Sequence, residues 1–118
     1  MKRVYVAGAY NSDNVCGVLA NMRRGIALSL KVAEAGHAPF CPWLDFQFGL
    51  AMELTVEQYQ AMSMAWLEVS DCVLIVPGWE NSGGTRREMA RAYDLGIATF
   101  FDLEPCIEYC NYAESLDD

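Results

Sequence analysis

Basic residues are scarce in this chain of 118 residues: eight Lys and Arg stand against sixteen Asp and Glu, for a formal net charge of −8. Such a surplus repels the phosphate backbone of DNA or RNA and an anionic membrane surface, so neither is expected as a partner. A small nucleotide stays open, because it senses a local pocket and not the global sum. Arg23, Arg24, Arg86 and Arg87 are half of the basic residues and fall in two adjacent pairs, which keeps an anionic ligand possible. Histidine is nearly missing, with His37 alone, and no apolar run approaches the ~20 residues that span a bilayer. No secretory n-region and h-region opens the chain, and the cysteines, Cys16, Cys41, Cys72, Cys106 and Cys110, are odd in number. A reduced, cytoplasmic setting is therefore expected. Cys106 and Cys110 stand four apart, but no Cys or His pair elsewhere has the spacing to complete a ligand set, so no metal is expected.

What is present is core. Hydrophobic residues make up 53% of the chain and charged ones 20%, the composition of a compact protein, and the length suits one domain over residues 1–118 with no room for a second. Residues 2–8 form a β-branched and aromatic run stopped by Gly8, which predicts a buried first strand. From about Cys16 to Ala35 the residues Val18, Leu19, Met22, Ile26, Leu30 and Ala33 recur at helical spacing, and Gly36 follows as a C′ glycine. A short second strand is expected over residues 38–42, turned by Pro42. The aromatic stretch from Trp43 to Leu54 reads as a lid, a pocket wall or a subunit contact. Thr55 can cap a helix to about Val69, with Tyr59, Met62, Trp66 and Leu67 inward.

Residues 71–77 are the clearest strand, apolar at consecutive positions as when helices cover both faces of a sheet. A helix from about Thr85 to Leu95 and a strand over residues 97–101 follow, and residues 102–118 form an acidic tail with room for one short helix. Strand and helix alternate throughout, which predicts an α/β fold with a doubly wound parallel sheet. In such sheets ligands bind beyond the carboxyl ends of the strands. The loops carrying Tyr10 and Gly78 to Glu88 both lie at that edge.

Gly78-Trp-Glu-Asn-Ser-Gly-Gly-Thr-Arg-Arg-Glu88 joins the strand to the helix through three glycines, letting backbone N–H groups approach a ligand. It lacks the lysine of a Walker A loop and the spacing of a dinucleotide fingerprint, so neither ATP nor NAD is expected, and no cofactor is implied. Glu88, in the first helical turn, is suited to attack an anomeric carbon. Thr85-Arg-Arg-Glu88 is also a capping box, a structural role that spacing alone favours. Tyr10 can orient such a carboxylate or simply pack. Asp71 can touch substrate, although a local backbone bond is the commoner role. Trp79 and Phe46 can stack on a base or belong to the core.

Val4-Tyr-Val-Ala-Gly-Ala-Tyr10, Trp66-Leu-Glu-Val-Ser-Asp71 and the stretch from Gly78 through Glu88 to Gly96 together resemble the nucleoside 2-deoxyribosyltransferase superfamily, over about residues 2–101. The likeness is greatest to its small phage and bacterial branch. It implies a Rossmann-like, flavodoxin-like sheet and a glutamate nucleophile that displaces a base from a deoxyribosyl group. The covalent sugar is then passed to another base or to water. Glu88 matches the nucleophile and Tyr10 the residue that steadies it. Ser82 matches a serine at the 5′-phosphate, with Gly8, Gly83, Gly84 and Arg23 nearby. Homodimers or larger homo-oligomers are implied as well.

One position departs from the pattern. Eight residues before Asp71, where active relatives carry an aspartate that handles the leaving base's proton, stands Ser63. A serine hydroxyl is a poor general acid near neutrality, so base departure needs a slower route or another donor, for which Asp45, Glu53 or Glu57 can substitute if the loop folds inward. Two readings follow: an N-glycosidic enzyme acting on a (deoxy)nucleoside or its 5′-monophosphate, and a nucleotide-binding sensor on the same fold without turnover.

Overall fold

Alternating apolar runs and amphipathic stretches condense into four strands and their crossovers. A computed structural model describes residues 1–117. In chain order these are β1 (Arg3–Ala7), α1 (Val15–Glu34), β2 (Ala38–Phe40), a 3-10 helix (Pro42–Leu50), α2 (Val56–Glu68), β3 (Cys72–Ile75), α3 (Gly83–Asp94), β4 (Ala98–Phe100) and α4 (Leu103–Ser115). All pairings are parallel, in the order β2-β1-β3-β4, with Tyr5 opposite Phe40 on one side and Val73 on the other. This is the expected single α/β domain with a Rossmann-like sheet. The strand order reverses between β1 and β3, the place where a crevice opens in such sheets.

Strand alternation divides the core. Val4, Val6, Cys72, Leu74 and Val76 face one side, with Val32 of α1 and Cys106 and Cys110 of α4. Tyr5, Ala7, Val73 and Ile75 face the other, against Leu67 of α2 and Ala92 of α3. Glycines with positive φ end two of the helices, Gly36 after α1 and Gly96 after α3, because the left-handed turn that stops a helix is open to a residue without Cβ.

Two helix faces differ from the apolar pattern. In α1 the buried positions are Asn21, Gly25, Ser29 and Val32, while Leu19 and Leu30 are exposed. Small residues let this helix approach closely: a Cβ on Gly25 would stand 2.3 Å from the Trp43 ring. In α2 Leu67 is buried but Trp66 is 55% exposed, lying flat on Phe40 instead of entering the core. The tail is a full helix, α4, whose Cys106 and Cys110 are wholly buried against the sheet. Among the described residues no helix is long and apolar enough to cross a membrane.

Candidate active site

The carboxyl ends of β1 and β3 open onto a cavity of about 1140 Å³. Its floor is Ala7 and Gly8, one wall is the start of α3 from Ser82 to Glu88, and the opposite wall is the 3-10 helix with α2. Gly8 is required for closeness: a Cβ there would lie 2.8 Å from Val76 Cβ and 3.1 Å from the Trp43 ring. Trp43 itself anchors the 3-10 helix by donating from Nε1 to the Ala9 carbonyl at 3.1 Å. The aromatic stretch is thus a pocket wall, contributing Asp45 and Phe46 to the lining.

Helix α3 starts two residues earlier than its sequence suggests, and this decides the fate of Glu88. Ser82 is the N-cap, accepting from Thr85 N at 3.2 Å, and Thr85, buried within the first turn, donates its hydroxyl to Ser82 Oγ at 2.9 Å. The Thr85–Glu88 capping box is therefore not formed. The Glu88 side chain lines the cavity, while its Oε2 is shielded from solvent with no partner in hydrogen-bond geometry. Burial pushes its pKa up from 4.5 to about 7, against the opposing pull of the Tyr5 hydroxyl and the Arg87 charge. Gly83 and Gly84, whose N–H groups have no intrahelical acceptor, line the same wall.

The phenol facing Glu88 belongs to Tyr5. Its hydroxyl is likewise buried without a closed hydrogen bond, and it lies between Glu88 and Ser63; burial first, then the Glu88 charge, push its pKa far up. Strand parity explains this placement, since Tyr5 points to the α2 and α3 face. Tyr10 lies beyond the strand end, its ring 6.1 Å from that of Phe46, and its pKa is raised by burial and by Tyr59 and Asp45. It lines the cavity with Glu88, while the phenol acting on the Glu88 carboxyl is that of Tyr5. Tyr5 was missed, although a hydroxyl among the buried apolar residues Val4, Val6 and Ala7 was the available signal.

The other candidates divide. Gly8, Phe46, Ser82, Gly83 and Gly84 line the cavity. Asp71 does not: it precedes β3, at the sheet's opposite edge, and accepts from Arg3 N at 2.7 Å. Trp79 packs on Phe101 with centroids 5.7 Å apart and contributes to the α2/α3-side core, outside the lining. Arg23 is exposed, and its neighbour Arg24 lines the cavity while donating to Asn21 Oδ1. Adjacent helix positions diverge by a quarter turn or more, so one arginine of each pair, Arg24 and Arg87, reaches the cavity. Asn21 in turn donates to the carbonyls of Tyr10 and Asn11 at 3.1 and 3.2 Å, holding the loop after β1.

Ser63 lines the cavity, so the departure from the aspartate pattern falls within the site. Of the three acids able to replace it, Asp45 also lines the cavity, with its pKa raised by burial; Glu53 and Glu57 are not in the lining. The cavity therefore holds two carboxyl groups, both biased toward protonation by burial, beside two arginines and a helix start.

A domain of unknown function, DUF4406, matches residues 2–101. The chain belongs to this family. A 2-deoxyribosyltransferase from the psychrotolerant bacterium Bacillus psychrosaccharolyticus has a similar structure, with a TM-score of 0.57 and 14% identity over 89% of this chain and 79% of that one. The resemblance read from the sequence is thus met in the fold. No curated protein matches the chain.

Proposed function

We propose that this protein cleaves or exchanges the base of a (deoxy)nucleoside or nucleoside 5′-monophosphate, with Glu88 as the nucleophile. The observation that carries the reading is the Glu88 side chain: a carboxylate in the second turn of α3, released from capping by Ser82, with Oε2 buried without a partner, on a side chain that lines a nucleotide-sized cavity. The fold likeness to a 2-deoxyribosyltransferase supports the same chemistry.

In the reaction Glu88 attacks C1′ of the sugar, forming a C–O bond as the C1′–N bond breaks and its electron pair passes to the base. The leaving nitrogen takes a proton from Asp45, whose partly buried carboxyl retains one more readily than a solvated aspartate. Water or a second base then attacks C1′ and frees Glu88. Tyr5 holds the attacking carboxylate between turnovers, and the free N–H groups of Gly83 and Gly84, with Ser82, Arg24 and Arg87, suit a 5′-hydroxyl or phosphate. Tyr10 and Phe46 form the aromatic wall for the base.

Ser63 supports a second reading, a nucleotide-binding module without turnover, because the aspartate of active relatives is missing from the cavity. Incubation with deoxynucleosides and their monophosphates, with and without an acceptor base, separates the two. The enzyme reading expects free base that disappears in Glu88→Gln. Thermal stabilisation by the same compounds with no base released at high protein concentration would establish the binding module instead.

A further inference from the structure

The sulfur atoms of Cys72, Cys106 and Cys110 meet on the α4 face of the sheet, away from the cavity. Cys72 opens β3 at the sheet edge opposite the carboxyl ends, and Cys106 and Cys110 stand one turn apart on the inward face of α4. Cys72 Sγ lies 3.8 Å from Cys106 Sγ and 3.5 Å from Cys110 Sγ, and all three sulfurs fall within 4.8 Å of one another. Each residue is wholly buried and none is in a disulfide. The i, i+4 pair, which sequence spacing left without a partner, acquires its third member through the fold.

We propose that this trio is a binding site for a monovalent soft metal ion of the Cu(I) class. Metal–thiolate bonds of about 2.3 Å set three sulfurs around a trigonal centre about 4 Å apart. The observed separations need only sub-ångström adjustment to reach that value. Ligand chemistry narrows the ion. An all-sulfur set selects thiophilic metals, and structural zinc requires a fourth donor to complete a tetrahedron. Among the described residues no fourth Cys, His or carboxylate joins the group, and its burial denies a water for the open position.

Binding through three thiolates releases the three thiol protons to solvent, so retention of the ion should weaken as pH falls. Entry requires α4 to lift locally, an opening that a single helix can make below the cost of global unfolding. Once bound, the ion ties α4 to β3 and stabilises their contact by linkage.

The test titrates reduced, metal-free protein anaerobically with Cu(I) against a chromophoric Cu(I) chelator and records X-ray absorption of the loaded protein. One equivalent withdrawn from the chelator, in a shell of three sulfurs, is the expected result. Cys106→Ala and Cys110→Ala should each weaken retention at least tenfold, while Cys16→Ser and Glu88→Gln leave it unchanged. Circular dichroism verifies that each variant folds; if a cluster variant does not, the wild-type absorption shell decides alone. Copper left entirely with the chelator, nitrogen or oxygen in the shell, or retention lost in Cys16→Ser overturns the proposal. Preferential retention of Zn(II) in four-coordinate form overturns the choice of ion.

Discussion

A carboxylate that attacks carbon must be ionised, yet Glu88 sits where ionisation is disfavoured. Burial holds its pKa at about 7, so the nucleophilic form accumulates only as pH rises through neutrality. The rate of base release at low substrate should climb through that range, as a pH profile of kcat/KM will record. Tyr5 counters the burial by donating toward the carboxylate. Tyr5→Phe removes that donor, and the same profile should move to higher pH with the fold intact; a loss of rate with no movement of the profile would reduce Tyr5 to a packing role. Stability carries the opposite sign. The unfolded chain releases the Glu88 proton near pH 4.5 while the native state keeps it to about pH 7. The stabilisation is whole below 4.5 and is lost by the time pH passes 7, on the order of 3 kcal/mol at ~1.4 kcal/mol per pH unit. Glu88→Gln should therefore be more stable than wild type at pH 8 and close to it at pH 4, measured by denaturant titration.

At the scale of elements, the cavity depends on two fitted joints. The 3-10 helix is held by Trp43, whose ring rests against the bare Gly25 of α1. Gly25→Ala drives a methyl into that ring, so it should cost about 1–3 kcal/mol and raise KM more than it lowers kcat, because the wall and not the nucleophile is displaced. Ser82 is the second joint: Ser82→Ala removes a cap worth ~1 kcal/mol and loosens the first turn that aims Glu88. These joints also show what the sequence left illegible. The loop glycines and Glu88 were evident from order along the chain, and β1, β3 and the helix-ending glycines from pattern. The start of α3 was not, since Ser82 and Thr85 are both good caps and only the packing of Thr85 in the core decides between them. The choice of Tyr5 over Tyr10 needed strand parity joined to the position of α3, and the rejection of Asp71 and Trp79 needed knowledge of which sheet edge and which core each one meets.

For the whole molecule, the alternation of strand and helix was enough to predict a parallel doubly wound sheet, but the weight of α4 was hidden in an acidic tail. The family match ends at residue 101, yet α4 supplies the buried Cys106 and Cys110 that cover Cys72. A chain cut after Asp102 should lose cooperative thermal unfolding, because one face of β3 and β4 would stand in water. That α1 buries Asn21, Gly25 and Ser29 while Leu19 and Leu30 stay exposed was equally hidden, as apolar periodicity marks large residues and not close contact. The proposed chemistry stands on a sugar ester forming at residue 88. Acid-quenched reactions with a deoxynucleoside monophosphate, digested and read by mass spectrometry, should yield one deoxyribosyl adduct on the peptide holding Glu88. Base released with no adduct there, or an adduct on another side chain, would contradict the account.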